Sequence, residues 1–370
     1  MEVVFNQKEL DKALGAAKRA TMAKGSLTVL SGILIEAVGD RATFSATNFD
    51  THIQYKIPAR AESSGKVLVS GNLLHDLVRR MPGPDVTLTL NDNLLNVQSG
   101  AADYKIVTMN PAEFPLIEKV QAETSLAISG DDLRTIYDYT SFAVAGEKGD
   151  RPMFTGINLA CTDDSLVATG TNSHQLARKS IPFSTEAQGS IIIPPAAIAE
   201  VGRLTDPGEG LTLNWGRGKI AFQNDNLYFS CRAIEGQFPD VSRVIPQGLP
   251  TSITLSPHDL AMAIDRISLI ATQRTEKVTL TVMALAIDGD VLTITANTPD
   301  KGQAREELWG KGNAGPKVAL YFNGSQILDC LRAVEAEKIT LAMPEKPGAA
   351  SIVCEGDDSY IYVICSQRAA

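Results

Sequence analysis

The chain has 370 residues, 44% hydrophobic and 6% aromatic, and carries a formal charge of −9 from 34 Lys+Arg against 43 Asp+Glu. That apolar content excludes wholesale disorder, and the length predicts two or three domains at roughly 100–200 residues each. Acidity and few aromatic rings argue against a broadly basic or base-stacking nucleic-acid binder, so any such contact has to come from local segregation of charge.

The opening MEVVFNQKEL has no basic segment leading into an apolar stretch. No apolar run approaches the roughly 20 residues that span a bilayer, which predicts a cytoplasmic protein without membrane contact. From there Val3–Phe5 reads as a short strand entering an amphipathic helix that turns Leu10, Leu14 and Ala17 to one face. Leu34–Val38 alternates as a strand. Val67–Val69 leads into a second helix over Asn72–Met81, and Val86–Leu90 and Leu94–Val97 flank an Asn91-Asp92-Asn93 turn.

After a linker near Leu116–Thr124 the pattern restarts with Leu126–Ile128 and a helix facing Leu133, Ile136 and Tyr137 inward. Leu166–Thr169 follows, then Ile191–Ile193 into a helix at Pro195–Leu204, then a hairpin turning at Trp215–Lys219. A second linker at Ile245–Thr251 precedes Ile253–Leu255, where Ser256 is placed to cap a helix with Pro257 in its first turn. Val318–Phe322 then enters a helix over Ser325–Ala336.

Three similar passages amount to a repeat. Phe44-Ser45-Ala46-Thr47-Asn48 returns as Thr169-Gly170-Thr171-Asn172 and as Ile294-Thr295-Ala296-Asn297, so the asparagines stand 124 and 125 residues apart. Glu113-Phe114-Pro115 and Gln237-Phe238-Pro239 are again offset by 124. Units of this length are whole domains, here of two helices and about eight strands, and the chain reads as α+β with domains 1–120, 121–248 and 249–370.

Chemistry is scarce. The four histidines, His52, His75, His174 and His258, have no second His or Cys at metal-ligand spacing, and no cofactor motif occurs, so neither metal nor cofactor is expected. Cys161, Cys231, Cys330, Cys354 and Cys365 are scattered without a CxxC pair and read as reduced thiols. Ser173-His174 invites a nucleophile–base reading, but adjacent residues on an extended chain point apart. The Gly216-Arg217-Gly218 segment sits between strand patterns rather than before a helix, which makes it a hairpin turn and not a phosphate cradle. Asp163-Asp164 and Asp357-Asp358 read as turns. Charge counted over the six helical segments is about +1, against about −10 on strands and loops, a modest segregation in the direction a DNA-facing surface needs.

Together, three α+β units of about 124 residues, the Thr171–Leu176 turn, Gly236-Gln237-Phe238-Pro239-Asp240 followed by Arg243-Val244, and Ile294–Asn297 resemble the bacterial sliding clamps, the β subunit of DNA polymerase III. The resemblance covers essentially the whole chain. It implies a head-to-tail homodimer, a six-domain ring with helices inside and sheets outside around double-stranded DNA, acting as a non-catalytic processivity factor in the bacterial cytoplasm. Tyr104 and Ile106 are then expected to meet Leu269 and Ile270 of the other subunit. Sequence-independent contacts to the DNA backbone fall to Lys24, Arg79, Arg134, Lys148, Arg151, Arg203, Arg266, Arg274 and Lys277.

The resemblance also implies a groove between the second and third domains for a peptide of the polymerase, the clamp loader and other clamp-binding proteins. It maps to Phe154, Thr171, Ser173, His174, Gln175, Leu176, Pro239, Arg243, Val244, Asn323, Val363 and Ile364, with the tail Cys365, Ser366, Gln367 and Arg368. The family usually has Asp-Gly-His-Arg-Leu where this chain has Asn172-Ser173-His174-Gln175-Leu176, and its ending is also different. These departures predict a divergent clamp with a more polar pocket. Two alternatives follow: a clamp paralogue scaffolding other partners, and an unrelated enzyme using Ser173 and His174.

Overall fold

A computed structural model describes residues 1–22, 27–147, 149–183, 187–274 and 279–368, with only the backbone of residues 274 and 279. The chain forms two compact units, one of residues 1–131 and 200–233, the other of residues 132–199 and 234–370.

The first unit is organised on thirteen strands. One half runs Thr124–Ser129, Gly210–Gly216, Lys219–Gln223, Leu227–Arg232, Thr51–Pro58, Arg41–Thr47, Gly32–Val38, Gly65–Ser70; Ala102–Met109, Leu94–Ser99, Asp85–Asn91, Glu2–Asn6 and Arg60–Ser63 follow. Helix α1, Gln7–Lys18, starts where the Asn6 side chain accepts from the Lys8 and Glu9 amides, and buries Leu10, Leu14 and Ala17 as the spacing predicts. It packs on α2, Gly71–Val78. That helix ends three residues before the predicted Met81, because the Arg80 and Met81 amides bond back three residues to Leu77 and Val78 and tighten the last turn. Arg217 and Gly218 both have positive φ, 50° and 73°, which makes the predicted hairpin turn.

The second unit holds a nine-stranded and a five-stranded sheet. Its α3 and α4 are Gly130–Thr140 and Pro195–Leu204, the latter at its predicted limits, and each begins or ends in residues assigned to the first unit. In α5, Pro257–Ala271, the Ser256 hydroxyl accepts from the Asp259 amide. In α6, Gly324–Ala333, Asn323 is the cap, and the helix stops short of the predicted Ala336 because Val334 turns extended. α5 and α6 pack together over the apolar faces of Thr279–Asp288 and Val291–Thr298, burying Ile264, Met283, Leu285, Ile294 and Phe322. Asp163-Asp164 does form a turn, whereas Asp357 opens the strand Asp357–Cys365 after a turn at Gly356, where φ is +80°. Two helices and antiparallel strands recur in each repeat, so the fold is α+β as predicted.

Candidate peptide groove and helix face

The groove is built in the second unit by a turn, a strand pair and a connecting segment. Thr171 Oγ1 accepts from the Ser173 amide, and Asn172 Oδ1 accepts from the amides of His174 and Gln175. The same three bonds recur in the first unit from Thr47 and Asn48 to Phe49, Asp50 and Thr51. This is why Thr-Asn occurs in the first two repeats: a threonine and an asparagine side chain close a turn whose third residue is left-handed, Phe49 at φ 73° and Ser173 at φ 76°, whereas Ile294–Asn297 of the third repeat stays within the strand Val291–Thr298.

Beyond the turn, Gln175–Pro182 pairs antiparallel with Asp357–Cys365, setting Leu176 opposite Val363. Leu176, Val363 and Phe154 floor a cavity of about 450 Å³, and Pro239, Asp240, Val241 and Val244 form its wall. Phe154 is fixed edge-on against Phe238 at 5.9 Å, with the Arg151 guanidinium 5.8 Å from its ring centre. An apolar floor rimmed by Arg151, His174 and Asp240 suits apolar anchors with a polar frame. Hydrogen bonds from Ser242, then the charges of Arg243 and Arg178, hold the Asp240 carboxyl below its ordinary range.

Of the sixteen residues assigned to the groove, ten line this cavity: Phe154, Thr171, Ser173, His174, Gln175, Leu176, Pro239, Val244, Val363 and Cys365. Arg243 is exposed beside the wall. Asn323 is buried as the α6 cap, and Ile364 points into the core. Ser366, Gln367 and Arg368 lead away, with the Gln367 amide donating to the Tyr321 carbonyl. Gln175 is 5% exposed; its amide donates to the Phe142 carbonyl at 3.1 Å and accepts from the Tyr362 hydroxyl at 2.7 Å. Sequence reading missed Asp240, Val241 and Ala349, and gave Arg151 to DNA. The Asp240-Val241 pair adjoins the Phe-Pro echo, which was the available signal. Among the described residues the His174 ring has no hydrogen bond to Ser173, and no group of three metal-ligating side chains occurs.

The second candidate surface is the helix face of the first unit. A charged cleft of about 500 Å³ is lined by Asp11, Lys12, Gly15, Lys18, Arg19, His75 and Arg203. Its cations are already held: Lys12 by Asp206 at 3.2 Å, Arg19 and Arg203 by Glu200 at 3.3 and 2.6 Å, Lys18 by Asp76 at 3.9 Å. His75 lies 3.3 Å from Asp11, and burial lowers its pKa, opposed by that carboxylate. Of the DNA-contact candidates, Arg79 is exposed at the end of α2 and Arg134 is half-buried on α3. Arg266 makes a bidentate pair with Glu306 at 2.9 and 2.6 Å. Lys24, Lys148 and Lys277 lie outside the described residues, and Arg274 ends the strand Thr272–Arg274.

At the expected subunit contact, Tyr104 is 47% and Leu269 74% exposed, Ile270 is half-buried, and Ile106 is buried at 7%. Val107 on the same strand is 70% exposed. Ala102–Met109 meets Gly65–Ser70 only through Thr108 and Met109, so among the described residues 102–107 have one open edge. Gly302–Trp309 likewise pairs only with Val291–Thr298.

Three α+β repeats and an apolar groove beside a Thr-Asn turn define a clamp-type fold. Models of the DNA polymerase III beta subunit match the chain in order, the N-terminal domain at residues 1–118, the central domain at 127–240 and the C-terminal domain at 242–368. The chain belongs to that family. It is 25% identical over 350 residues to a beta sliding clamp of Staphylococcus epidermidis, covering 92% of each, and 24% identical over 379 residues to that of Staphylococcus aureus, covering 100% and 99%. Among solved structures it resembles the DNA polymerase III subunit beta of Pseudomonas aeruginosa bound to griselimycin, with a TM-score of 0.93 at 23% identity, and the sliding clamp of Bacillus subtilis, with 0.91 at 22%, each over the whole of both chains.

Proposed function

We propose that the protein is a DNA-sliding processivity clamp: two copies close head to tail into a ring of six repeats around duplex DNA, and the groove tethers the replicative polymerase and other clamp-binding proteins. The observation that carries this reading is the match of all three repeats, in order and over nearly the whole chain, to one family of polymerase accessory subunits. The repeats take the boundaries 1–120, 121–248 and 249–370. The protein itself is non-catalytic and acts in the bacterial cytoplasm, raising the polymerase's effective concentration at the primer end. Closure is supported by the two open strand edges, since a heterologous contact whose rotation closes also covers edges that would otherwise aggregate. Tyr104, with Val107 beside it, on one copy and Leu269 and Ile270 at the end of α5 on its partner supply the apolar contacts.

The test is retention of loaded protein on nicked circular plasmid before and after linearisation. Loss only on linearisation is expected; equal loss from both forms would refute topological binding. The second reading, a paralogue with altered partners, is favoured by one observation: Gln175 is locked into the protein rather than offered to a ligand. A processivity assay with the cognate polymerase separates the two.

A further inference from the structure

The groove floor is one face of a paired strand, and that face continues. Alternation puts Leu176, Arg178 and Ser180 on the same side of Gln175–Pro182, with Val363 opposite Leu176 and Ile361 opposite Arg178. Leu176 and Val363 floor the apolar groove. Further along, Arg178, Ser180 and Ser359 line a separate concavity of about 430 Å³, walled by Ser242 and Gln247. The segment from Pro239 to Gln247 therefore borders both spaces, and its 3-10 turn, Ser242–Val244, stands between them. Arg178 is half-buried; among the described residues it makes no ion pair within 4 Å, and the carboxylate its charge acts on is Asp240 at the groove wall. Asp358 lines the same concavity, three residues along its strand from Ile361.

We propose that this second concavity is an acidic subsite: a partner peptide anchored on Leu176 and Val363 continues over the Ser242–Val244 turn and sets an Asp or Glu side chain against the Arg178 guanidinium. The inference rests on the peptide reading of the groove and adds a partner chemistry to it. Arg178 stands two strand residues, roughly 7 Å, beyond Leu176, a span that two or three extended peptide residues cover. A guanidinium fork takes a carboxylate through two N–H donors, and the Ser180 hydroxyl and the Gln247 amide supply further donors.

The test uses fluorescein-labelled synthetic peptides with leucine and phenylalanine anchors: one bare, others extended at either end by Gly-Gly-Asp-Asp or Gly-Gly-Asn-Asn. Anisotropy titrations with the full chain are expected to show one aspartate extension binding roughly five- to tenfold tighter than its asparagine counterpart. The difference vanishes in Arg178→Gln, and in Arg178→Glu it reverses. Equal affinities for Asp and Asn extensions at both ends, or an aspartate advantage that survives in Arg178→Gln, overturn the subsite. A bare peptide that fails to bind, or that binds Val244→Asp as well as the natural chain, overturns the groove reading itself and the subsite with it.

Discussion

Ser173 and Gln175 stand two residues apart in one turn and do opposite things. Ser173 is exposed with a left-handed backbone, a conformation that a residue with a Cβ adopts at a cost of order 1 kcal/mol and that glycine adopts freely. Ser173→Gly is therefore expected to raise stability by about 0.5–1 kcal/mol, read as a higher Tm. Gln175 is buried between the Phe142 carbonyl and the Tyr362 hydroxyl, so Gln175→Arg, which restores the residue usual in the family, is expected to destabilise by about 1–3 kcal/mol without improving peptide affinity. A denaturant melt and an anisotropy titration check the two halves. The turn was legible in the sequence because its hydrogen bonds are local. The burial of Gln175 was not, because its partners lie 33 residues upstream and 187 downstream, and an isolated glutamine reads as surface. His52 and His75 set the pH dependence of the first unit. Burial lowers both below the ordinary 6.5, so the unfolded chain binds protons more readily, and stability is lost as pH falls through about 6.5. A Tm falling between pH 7.5 and 5, and falling less in His75→Gln, is the expected result.

At the scale of elements, Lys179 joins Gln175–Pro182 to Asp357–Cys365. Its ammonium, mostly buried, bonds Asp357 at 3.0 Å and Ser359 at 2.6 Å and lies 4.7 Å from the Tyr139 ring centre. Although burial pushes the Asp357 carboxyl up, its bonds from Ser359 and Lys179 outweigh this and leave it low. Asp357 is 40% exposed and stays solvated without its partner, so Lys179→Ala is expected to cost about 1–2 kcal/mol, chiefly from the lost bonds and packing of the buried stem, measured by urea unfolding. The strand pair also carries the groove, so peptide affinity should fall with it. Val244 is different: it is 57% exposed, and Val244→Asp should weaken peptide binding at nearly unchanged Tm. Helix starts were legible because capping side chains and apolar spacing mark them, as at Ser256, and the ends of α2 and α6 were legible to within three residues. Short edge strands such as Arg60–Ser63 and Lys311–Gly312 were not, since only a partner strand defines them.

Over the whole molecule, charge decides how DNA would be held. Lys12 and Lys18 of α1 and the following Arg19 are paired with the protein's own carboxylates, and Glu200 alone engages Arg19 and Arg203. A phosphate contact by any of these paired residues must then displace an internal ion pair, so DNA retention should depend on salt less steeply than a count of cations suggests. Glu200→Gln frees two arginines and is expected to tighten retention at low salt and steepen that dependence, measured as off-rates from circular DNA over a salt series. The net charge of −9 thus describes the exterior and lining together, and composition alone could not reveal which cations were available. One further consequence concerns cooperativity rather than binding. The middle repeat reads in sequence as a single block, yet 124–131 and 200–233 are built into the first compact unit and 132–199 into the second. Repeat and cooperative unit are therefore expected to differ: native-state hydrogen exchange should show Leu227–Arg232 opening with its neighbour Thr51–Pro58 and not with Ser165–Thr171. A chain cut at the repeat boundaries would lack, on each side, strands that the remaining sheet needs, and the middle repeat expressed by itself would have no independent fold to recover.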